Sequence, residues 1–198
     1  MRSADEMKHL ILNIAMQDGR IRAVLLNGSR ANNKIVPDKY LDFDIVFIVN
    51  DLAGFIADHN WINIFGERLI WQLPDEMTLE NNDDRNNAGF HYLMLFKDGN
   101  RIDLTVFPVD KIKNQFRLES LTIVWLDKDN LFPVIDQPND SDYFIKRPNE
   151  KQFLDTCNEF WWVSTCVAKG LLRKEIIYSK EMLERFVRPM FMKIIEWY

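Results

Sequence analysis

Cysteine is scarce in this chain of 198 residues, which contains only Cys157 and Cys166. The two cysteines lie nine positions apart in one apolar segment of helical character. Their Cα atoms would therefore be too far apart for a disulfide bond. The sequence predicts two buried, unbridged thiols, and this excludes a disulfide-stapled scaffold and favours a reducing compartment.

Long uncharged hydrophobic runs are missing as well. No run approaches the roughly 18 residues that a membrane-spanning helix needs. The first twenty residues, "MRSADEMKHLILNIAMQDGR", carry charges throughout and contain no apolar core of a secretory leader. We therefore expect a cytoplasmic protein with no membrane partner.

An excess of positive charge is also absent, since 30 acidic residues face 25 basic ones and give a net charge of −5. This balance repels a polyphosphate backbone and predicts no nucleic-acid partner, whereas a polycationic small molecule would be attracted. The hydrophobic content of 47% is ample for a packed core and excludes a disordered chain. The sequence leaves the oligomeric state open.

The first half of the chain reads as helix and strand. Ser3 and Glu6 form a capping box for an amphipathic helix that ends before Gly19. "IRAVLLN" and "FDIVFIVN" predict two buried strands, and residues 51–73 predict one or two helices. A polar loop then leads to a hairpin, "FHYLMLFKDGNRIDLTVFPVD", and to a further strand, "LTIVWLD". The polar loop is expected at 79–89.

From Asn149 the sequence is aromatic and helically periodic, with an expected break at Gly170 and a kink at Pro189. As isolated residues, Trp61, Trp71, Trp161 and Trp162 are expected in the core more often than as stacking platforms for a ligand. The change of character predicts two domains, 1–148 and 149–198. Because the last helix reaches Tyr198 with an apolar face that needs a partner, we expect the helical part to be truncated.

Two aspartates lead into the second buried strand. Asp42 and Asp44 stand at alternate positions and therefore leave the same face of the strand. Adjacent carboxylates repel each other, and Mg²⁺ is the hard cation that such oxygens hold together with phosphate. Asp103 likewise lies between two apolar residues, Ile102 and Leu104, in the second strand of the predicted hairpin. Three carboxylates on neighbouring strands could hold two metal ions. These three residues are the predicted catalytic and metal-binding set.

A Gly28-Ser29 turn ends the strand before this one. Glycine lets the backbone approach a phosphate, and the amides and the serine hydroxyl can donate hydrogen bonds to its oxygens. Arg30 would add a charged contact. Gly28, Ser29 and Arg30 are thus predicted nucleotide-binding residues.

Each of these features also has a purely structural interpretation. Gly-Ser is commonly a simple turn, two alternating aspartates commonly form a solvated strand end, and Asp103 could pair with Arg101. Asp75 and Glu76 are better explained as a helix start than as substrate contacts, and His9, His59 and His91 lack the spacing of metal ligands. It is the combination of Gly-Ser, the aspartate pair and Asp103 that predicts a site.

The motifs "NGSRAN", "LDFDIVFIV" and "RIDLTVFP" resemble the nucleotidyltransferase superfamily, and "CNEFWW" with "KGLLRKEI" resembles the aminoglycoside 6-adenylyltransferases, which modify streptomycin. The likeness covers nearly the whole chain. It implies an α+β fold, with a mixed-sheet catalytic domain followed by a helical bundle and ATP bound in the cleft between them. The implied reaction transfers AMP from MgATP to a hydroxyl of streptomycin and releases pyrophosphate. Family members continue with further helices beyond the point that matches Tyr198.

A stripe on the long helix fits this resemblance. Glu159, Trp162, Cys166 and Lys169 recur at spacings of three, four and three. Glu159 and Lys169 would lie about 15 Å apart along the helix. Glu159 and Trp162 are predicted to bind the cationic drug, and Lys169 the triphosphate. The alternative is an ordinary surface acid and a lysine whose stem covers apolar surface.

Two other functions stay open at this point. The same fold could transfer a nucleotide to a protein or another acceptor, or the chain could be a nucleotide-binding module without catalysis. Glu159 on the helical stripe favours a small cationic acceptor, the acidic charge balance disfavours RNA, and the presence of all three aspartates favours catalysis.

Overall fold

The computed structural model of the protein describes residues 1–78, 88–134 and 137–198. Two compact units are present, Met1–Asp142 and Tyr143–Tyr198. The boundary that the sequence predicts, at residue 148, lies just before Asn149, which caps the first helix of the second unit. Most of the polar loop expected at 79–89 lies outside the described residues.

The first unit is built around one six-stranded sheet. Its strands are β1 (Ile21–Asn27), β2 (Phe43–Val49), β3 (Arg68–Gln72), β4 (Phe90–Phe96), β5 (Arg101–Pro108) and β6 (Thr122–Asp127). Their order across the sheet is β3-β4-β5-β2-β1-β6. β2 and β5 are parallel, and every other neighbouring pair is antiparallel. With the helices described below, this confirms the predicted α+β fold with a mixed sheet.

The first helix, α1 (Ala4–Gln17), begins where the sequence predicts. The Ser3 hydroxyl accepts a hydrogen bond from the Glu6 amide, and the Glu6 carboxylate accepts one from the Ser3 amide. The apolar face of α1 is buried in the main core against the sheet. Its buried residues are Met7, Ile11, Ile14 and Ala15.

The central strands β1 and β2 are buried along almost their whole length, as their apolar runs predict. Apolar side chains cover both faces of this part of the sheet and form two clusters. Leu25 and Phe47 are fully buried. The two strands therefore provide a rigid support for whatever stands at their ends.

The segment 51–73 is only partly helical. α2 (Leu52–Ala57) and a 3₁₀ segment, His59–Phe65, are followed by the edge strand β3. The prediction of helix was wrong for Arg68–Gln72, because β3 pairs with a single neighbour and exposes most of its side chains, so it lacks the alternation of a half-buried strand. Trp71 is 46% exposed and lies outside the core.

The predicted hairpin is confirmed. β4 and β5 pair antiparallel, and the turn between them contains Gly99 at φ +86°. Short helix α3 (Ile112–Gln115) follows β5, and β6 then adds an edge strand beside β1.

The second unit consists of helices. They are α4 (Glu150–Leu172), α5 (Ile176–Met182) and α6 (Arg188–Trp197), with a π-helical turn, Leu183–Val187, before α6. Pro189 lies in the first turn of α6, directly after the π-helical turn. The break expected at Gly170 occurs two residues later, since α4 ends at Leu172 and α5 begins at Ile176. Gly170 itself lies inside α4, where a Cβ would lie 2.3 Å from Ser179 Oγ. Glycine at this position allows α4 and α5 to pack closely.

The tryptophans of α4 are not core residues, contrary to expectation. Trp161 and Trp162 are 68% and 70% exposed. Cys157 and Cys166 are unbridged, as predicted, but only partly buried. Throughout 1–78, 88–134 and 137–198, no helix has both the length and the apolar character needed to cross a membrane.

Candidate active site

The parallel pairing of β2 and β5 brings two predicted site residues together. Asp44 and Asp103 are paired positions in the register of these strands. The residues on either side of each aspartate point into the core, since Phe43, Ile45 and Leu104 are each 1% exposed. Alternation therefore directs both carboxylates to the opposite face of the sheet, near the start of the two strands, where both side chains are partly exposed.

Arg101 connects this pair to the third carboxylate. Its Nε donates to Asp103 Oδ1 at 2.8 Å and its Nη2 to Asp103 Oδ2 at 2.6 Å, which is a two-pronged pairing. Its Nη1 lies 3.4 Å from Oδ2 of Asp42, the residue just before β2. The three aspartates and one arginine thus form a single charged cluster.

The cluster perturbs its own ionisation. The pKa of Asp44 is raised to about 6, first by burial and also by the neighbouring carboxylates of Asp103 and Asp42. Burial also raises the pKa of Asp42, although the Arg101 guanidinium opposes this shift. At neutral pH the site holds more negative charge than Arg101 alone balances, so it favours a cationic ligand.

The turn after β1 fits closely against Asp44. Asn27 pairs with Asp44 across the β1–β2 ladder, and Gly28 follows at φ +72° in the 3₁₀ turn Gly28–Ala31. A Cβ at Gly28 would lie 2.3 Å from Asp44 Oδ2. Both the backbone conformation and the space therefore require glycine at this position.

The same turn is fixed at its other side. The Gly28 amide donates to the Leu121 carbonyl at 3.1 Å, and the Thr122 hydroxyl donates to Asn27 Oδ1 at 2.9 Å. Ser29, the second residue of the turn, is partly buried beside this anchored backbone. The predicted phosphate-holding turn is thus held in position next to the carboxylates.

Arg30 makes a contact that the sequence did not indicate. Its guanidinium donates to the backbone carbonyls of Leu41 and Asp42 and lies 3.8 Å from the centre of the Phe43 ring. Burial lowers its pKa. Arg30 therefore fixes the chain where it enters β2, and its predicted contact with a phosphate stays a prediction.

The remaining predicted residues belong to the second unit. Glu159, Trp162 and Lys169 lie on α4 with exposed side chains, and Cys166 between them is partly buried. Their helical spacing places Glu159 and Lys169 about 15 Å apart along the axis. The exposed side chains are able to meet ligands, and their roles stay predictions.

Two histidines hold the segment that follows β3. His91 Nδ1 lies 2.9 Å from Asp75 Oδ2, and His59 Nε2 lies 2.9 Å from Glu76 Oε1. The structural interpretation of Asp75 and Glu76 suits these contacts, although Pro74–Glu76 forms a 3₁₀ turn and not the start of an α-helix. Only the tertiary fold reveals these pairs, since sequence spacing carries no signal for them.

The donor set suits a hard divalent cation. Asp42, Asp44 and Asp103 supply only carboxylate oxygens, and Mg²⁺ needs one or two carboxylates when phosphate and water complete its ligands. Across the described residues, no three His, Cys, Asp or Glu side chains are positioned to hold one ion as they stand. Arg101 holds two of the three carboxylates, so direct ligation by Asp103 requires this arginine to shift.

Comparison with known proteins identifies the family. The sequence model of the streptomycin adenylyltransferase family matches residues 1–198. The chain belongs to this family. Its members are nucleotidyltransferases, and the resemblance that the motifs indicated is confirmed.

Three aminoglycoside 6-adenylyltransferases show the same relationship along the whole of this chain. The protein of Campylobacter jejuni is 44% identical over 197 residues, that of Bacillus subtilis strain 168 is 42% identical over 199, and that of Staphylococcus aureus is 38% identical over 199. The chain covers 67%, 69% and 70% of these relatives, respectively.

A solved structure supports the fold assignment. The crystal structure of an aminoglycoside 6-adenyltransferase from Bacillus subtilis is similar with a TM-score of 0.51 and 36% sequence identity. The match covers the whole of this chain and 67% of that one. The nucleotidyltransferase-type fold predicted for this chain is thereby confirmed.

Proposed function

We propose that this protein transfers AMP from MgATP to a hydroxyl group of an aminoglycoside, specifically streptomycin, and releases pyrophosphate. Such a reaction inactivates the drug and confers resistance. The observation that carries the proposal is the pairing of Asp44 with Asp103 beside the Gly28 turn, in a chain of this family. A reaction that consumes ATP also suits the expected cytoplasmic location.

The nucleotide end of the site is assigned to the first unit. The turn formed by Gly28 and Ser29 offers the amide and the hydroxyl of Ser29 to phosphate oxygens close to Asp44, while the Gly28 amide stays bound to the Leu121 carbonyl. Asp42, Asp44 and Asp103 would hold the Mg²⁺ that accompanies ATP. When bound there, Mg²⁺ would neutralise phosphate charge and polarise the reacting phosphorus.

The remaining chemistry falls to side chains of this protein. As the acceptor oxygen bonds to the α-phosphorus of ATP, the bond between that phosphorus and the pyrophosphate oxygen breaks. The proton of the acceptor hydroxyl must also leave. Asp103 is our candidate for the base, because a carboxylate within hydrogen-bond reach can accept that proton. Freed from Arg101, one of its oxygens would be available for this role.

The acceptor and triphosphate contacts on α4 are further parts of the proposal. Glu159 carries a negative charge that suits the cationic streptomycin, and the exposed Trp162 offers a flat surface to a sugar ring. Lys169 would pair with the triphosphate. The net charge of −5 favours a polycationic acceptor over a nucleic acid.

Mass spectrometry of streptomycin after incubation with the protein and MgATP tests the reaction. We expect the drug to gain the mass of one AMP group, with pyrophosphate released only when the drug is present. Asp44→Asn should abolish both signals, whereas substitution of the exposed Asp110 by Asn should leave them unchanged. Release of pyrophosphate without the drug, or transfer of the AMP group to a protein, would assign a different function.

A further inference from the structure

Arg101 and a divalent cation require the same oxygen atoms. The arginine uses both prongs of its guanidinium on Asp103 and directs its remaining nitrogen to Asp42. A guanidinium stays protonated throughout the pH range in which proteins are folded. Arg101 is therefore a permanent positive charge inside the proposed metal cluster.

The ion pairs of Arg101 with Asp103 and Asp42 are exposed enough to be broken by a competing cation. The side chains of Arg101, Asp103 and Asp42 are 44%, 24% and 35% exposed. Water and salt reach such a pair and keep its net stabilisation small. A divalent ion carries twice the charge of the guanidinium on a more compact group, so it can displace Arg101 from the shared oxygens.

The fold leaves space for the displaced side chain. A shallow cavity of about 250 Å³ lies beside Arg101 on the same face of the sheet. Ile70, Leu93 and Leu95 border this cavity, and they offer apolar surface to the arginine stem. Arg101 can thus move away from Asp103 without unfolding any strand.

We propose that Arg101 is a displaceable counterion: its guanidinium balances Asp103 and Asp42 until a divalent cation takes those oxygens and releases it. Arg101 is a positioning residue, since it acts through the aspartates. The inference rests on the proposed function, because it assumes that these carboxylates bind Mg²⁺. It predicts that Arg101 lowers the affinity of the site for the ion and keeps the carboxylates together before the ion arrives.

Titration with Mg²⁺ alone, followed by the Nε–H signals of arginine in NMR spectra, tests the displacement. Arg22 provides an internal control, because its Nε also donates to a carboxylate, Asp129 Oδ2, at 2.6 Å. Neither Arg22 nor Asp129 belongs to the aspartate cluster. We expect the Arg101 signal to shift or broaden as Mg²⁺ binds while the Arg22 signal is unchanged. The spectrum of Arg101→Lys, which lacks this Nε–H group, assigns the signal.

Calorimetry with Mg²⁺ measures the competition directly. Arg101→Gln should bind Mg²⁺ roughly tenfold more tightly than the wild type, which corresponds to about 1.4 kcal/mol. Arg101→Lys should fall between the two, because an ammonium group can pair with Asp103 but cannot form the fork. Arg22→Gln should bind like the wild type. Before Mg²⁺ is added, Arg101→Gln should also unfold at a lower temperature, and Mg²⁺ should restore more of its stability.

The outcomes separate the two levels of the proposal. Mg²⁺ binding with an unchanged Arg101 signal, or equal affinity of wild type and Arg101→Gln, overturns the displacement and leaves the proposed function intact. Weaker binding by Arg101→Gln also overturns it. Absence of Mg²⁺ binding by both proteins overturns the displacement and the metal site together. If Arg101→Gln does not fold, the NMR titration of the wild type and the affinity of Arg101→Lys decide.

Discussion

Gly28 lies so close to Asp44 that one carbon atom added to the glycine would stand 2.3 Å from Asp44 Oδ2. Gly28 also has a positive φ of +72°, a conformation that other residues adopt only with strain. The contact links the predicted phosphate turn to the predicted metal ligand. A change at either residue therefore affects both.

Gly28→Ala should lower the free energy of unfolding by about 1–3 kcal/mol, because it combines backbone strain with a steric clash. It should also abolish AMP transfer by moving the Asp44 carboxylate. Gly19→Ala is the matched control, since a Cβ there meets nothing within 4 Å. Urea unfolding and an assay of pyrophosphate release measure the two effects. A stable, active Gly28→Ala protein would contradict this account of the turn.

The raised pKa of Asp44 predicts an unusual dependence of stability on pH. Folded Asp44 keeps its proton up to about pH 6, whereas an unfolded aspartate releases it near pH 4. In this window the native state binds more protons than the unfolded state. The contribution of Asp44 to the free energy of unfolding should therefore fall as the pH rises from about 4 to about 6.

Asp44→Asn removes this dependence, because the amide is neutral at every pH. Without added metal, the variant should be as stable as the wild type near pH 4 and more stable at pH 8. Addition of Mg²⁺ at pH 8 should raise the melting temperature of the wild type and not that of the variant. Asp110→Asn serves as an exposed control for calorimetric scans. A wild type that is more stable than the variant at pH 8 without metal would refute the raised pKa of Asp44.

Arg30→Lys distinguishes a structural role from a phosphate contact. Lysine keeps the positive charge but cannot bind two carbonyls with a planar fork or stack in the same way on Phe43. If Arg30 acts by fixing the entry of β2, Arg30→Lys should lose both stability and MgATP affinity. Arg117→Lys, at a side chain that is 84% exposed, should change neither. Unfolding curves and calorimetry with MgATP provide the measurements. Full MgATP affinity in Arg30→Lys would instead indicate that charge alone is needed.

The stripe on α4 makes a separable prediction. Lys169→Ala should raise the KM for MgATP, and Glu159→Gln should raise the KM for streptomycin, each by roughly tenfold, the change expected for loss of one charged contact. The exposed residues Lys180 and Glu196 offer matched controls for the two substitutions. Steady-state kinetics with each substrate varied in turn separate the effects. Two variants with unchanged KM values would leave these residues as ordinary surface charges.

The sequence predicted those elements of the fold that depend on residues close together in the chain. The capping box at Ser3, the buried strands β1 and β2 and the β4–β5 hairpin follow from periodicity and turn chemistry. The edge strand β3 could not be recognised, because its exposed side chains show no alternation. The break near Gly170 was predicted to within two residues, but the sequence could not show that Ser179 of another helix approaches Gly170 closely.

The candidate site was also predicted only in part from the sequence. Alternation in the sequence is enough to place Asp42 and Asp44 on one side of a strand, and the hairpin suggested that Asp103 would lie nearby. The sequence could not show that Asp44 is paired with Asp103, that Gly28 contacts Asp44 or that Arg30 binds the carbonyls of Leu41 and Asp42. Each of these contacts joins segments that meet only after the sheet has formed.

The parallel pairing of β2 with β5 also has a kinetic consequence. The β4–β5 hairpin needs only a short turn, whereas β2 reaches β5 only after the long segment between them has closed into a loop. Asp44 and Asp103 should consequently become neighbours late in folding, after the rate-limiting barrier. Stabilisation that arises after the barrier slows unfolding and hardly changes the folding rate. A cation bound by both carboxylates should thus lengthen the lifetime of the native state.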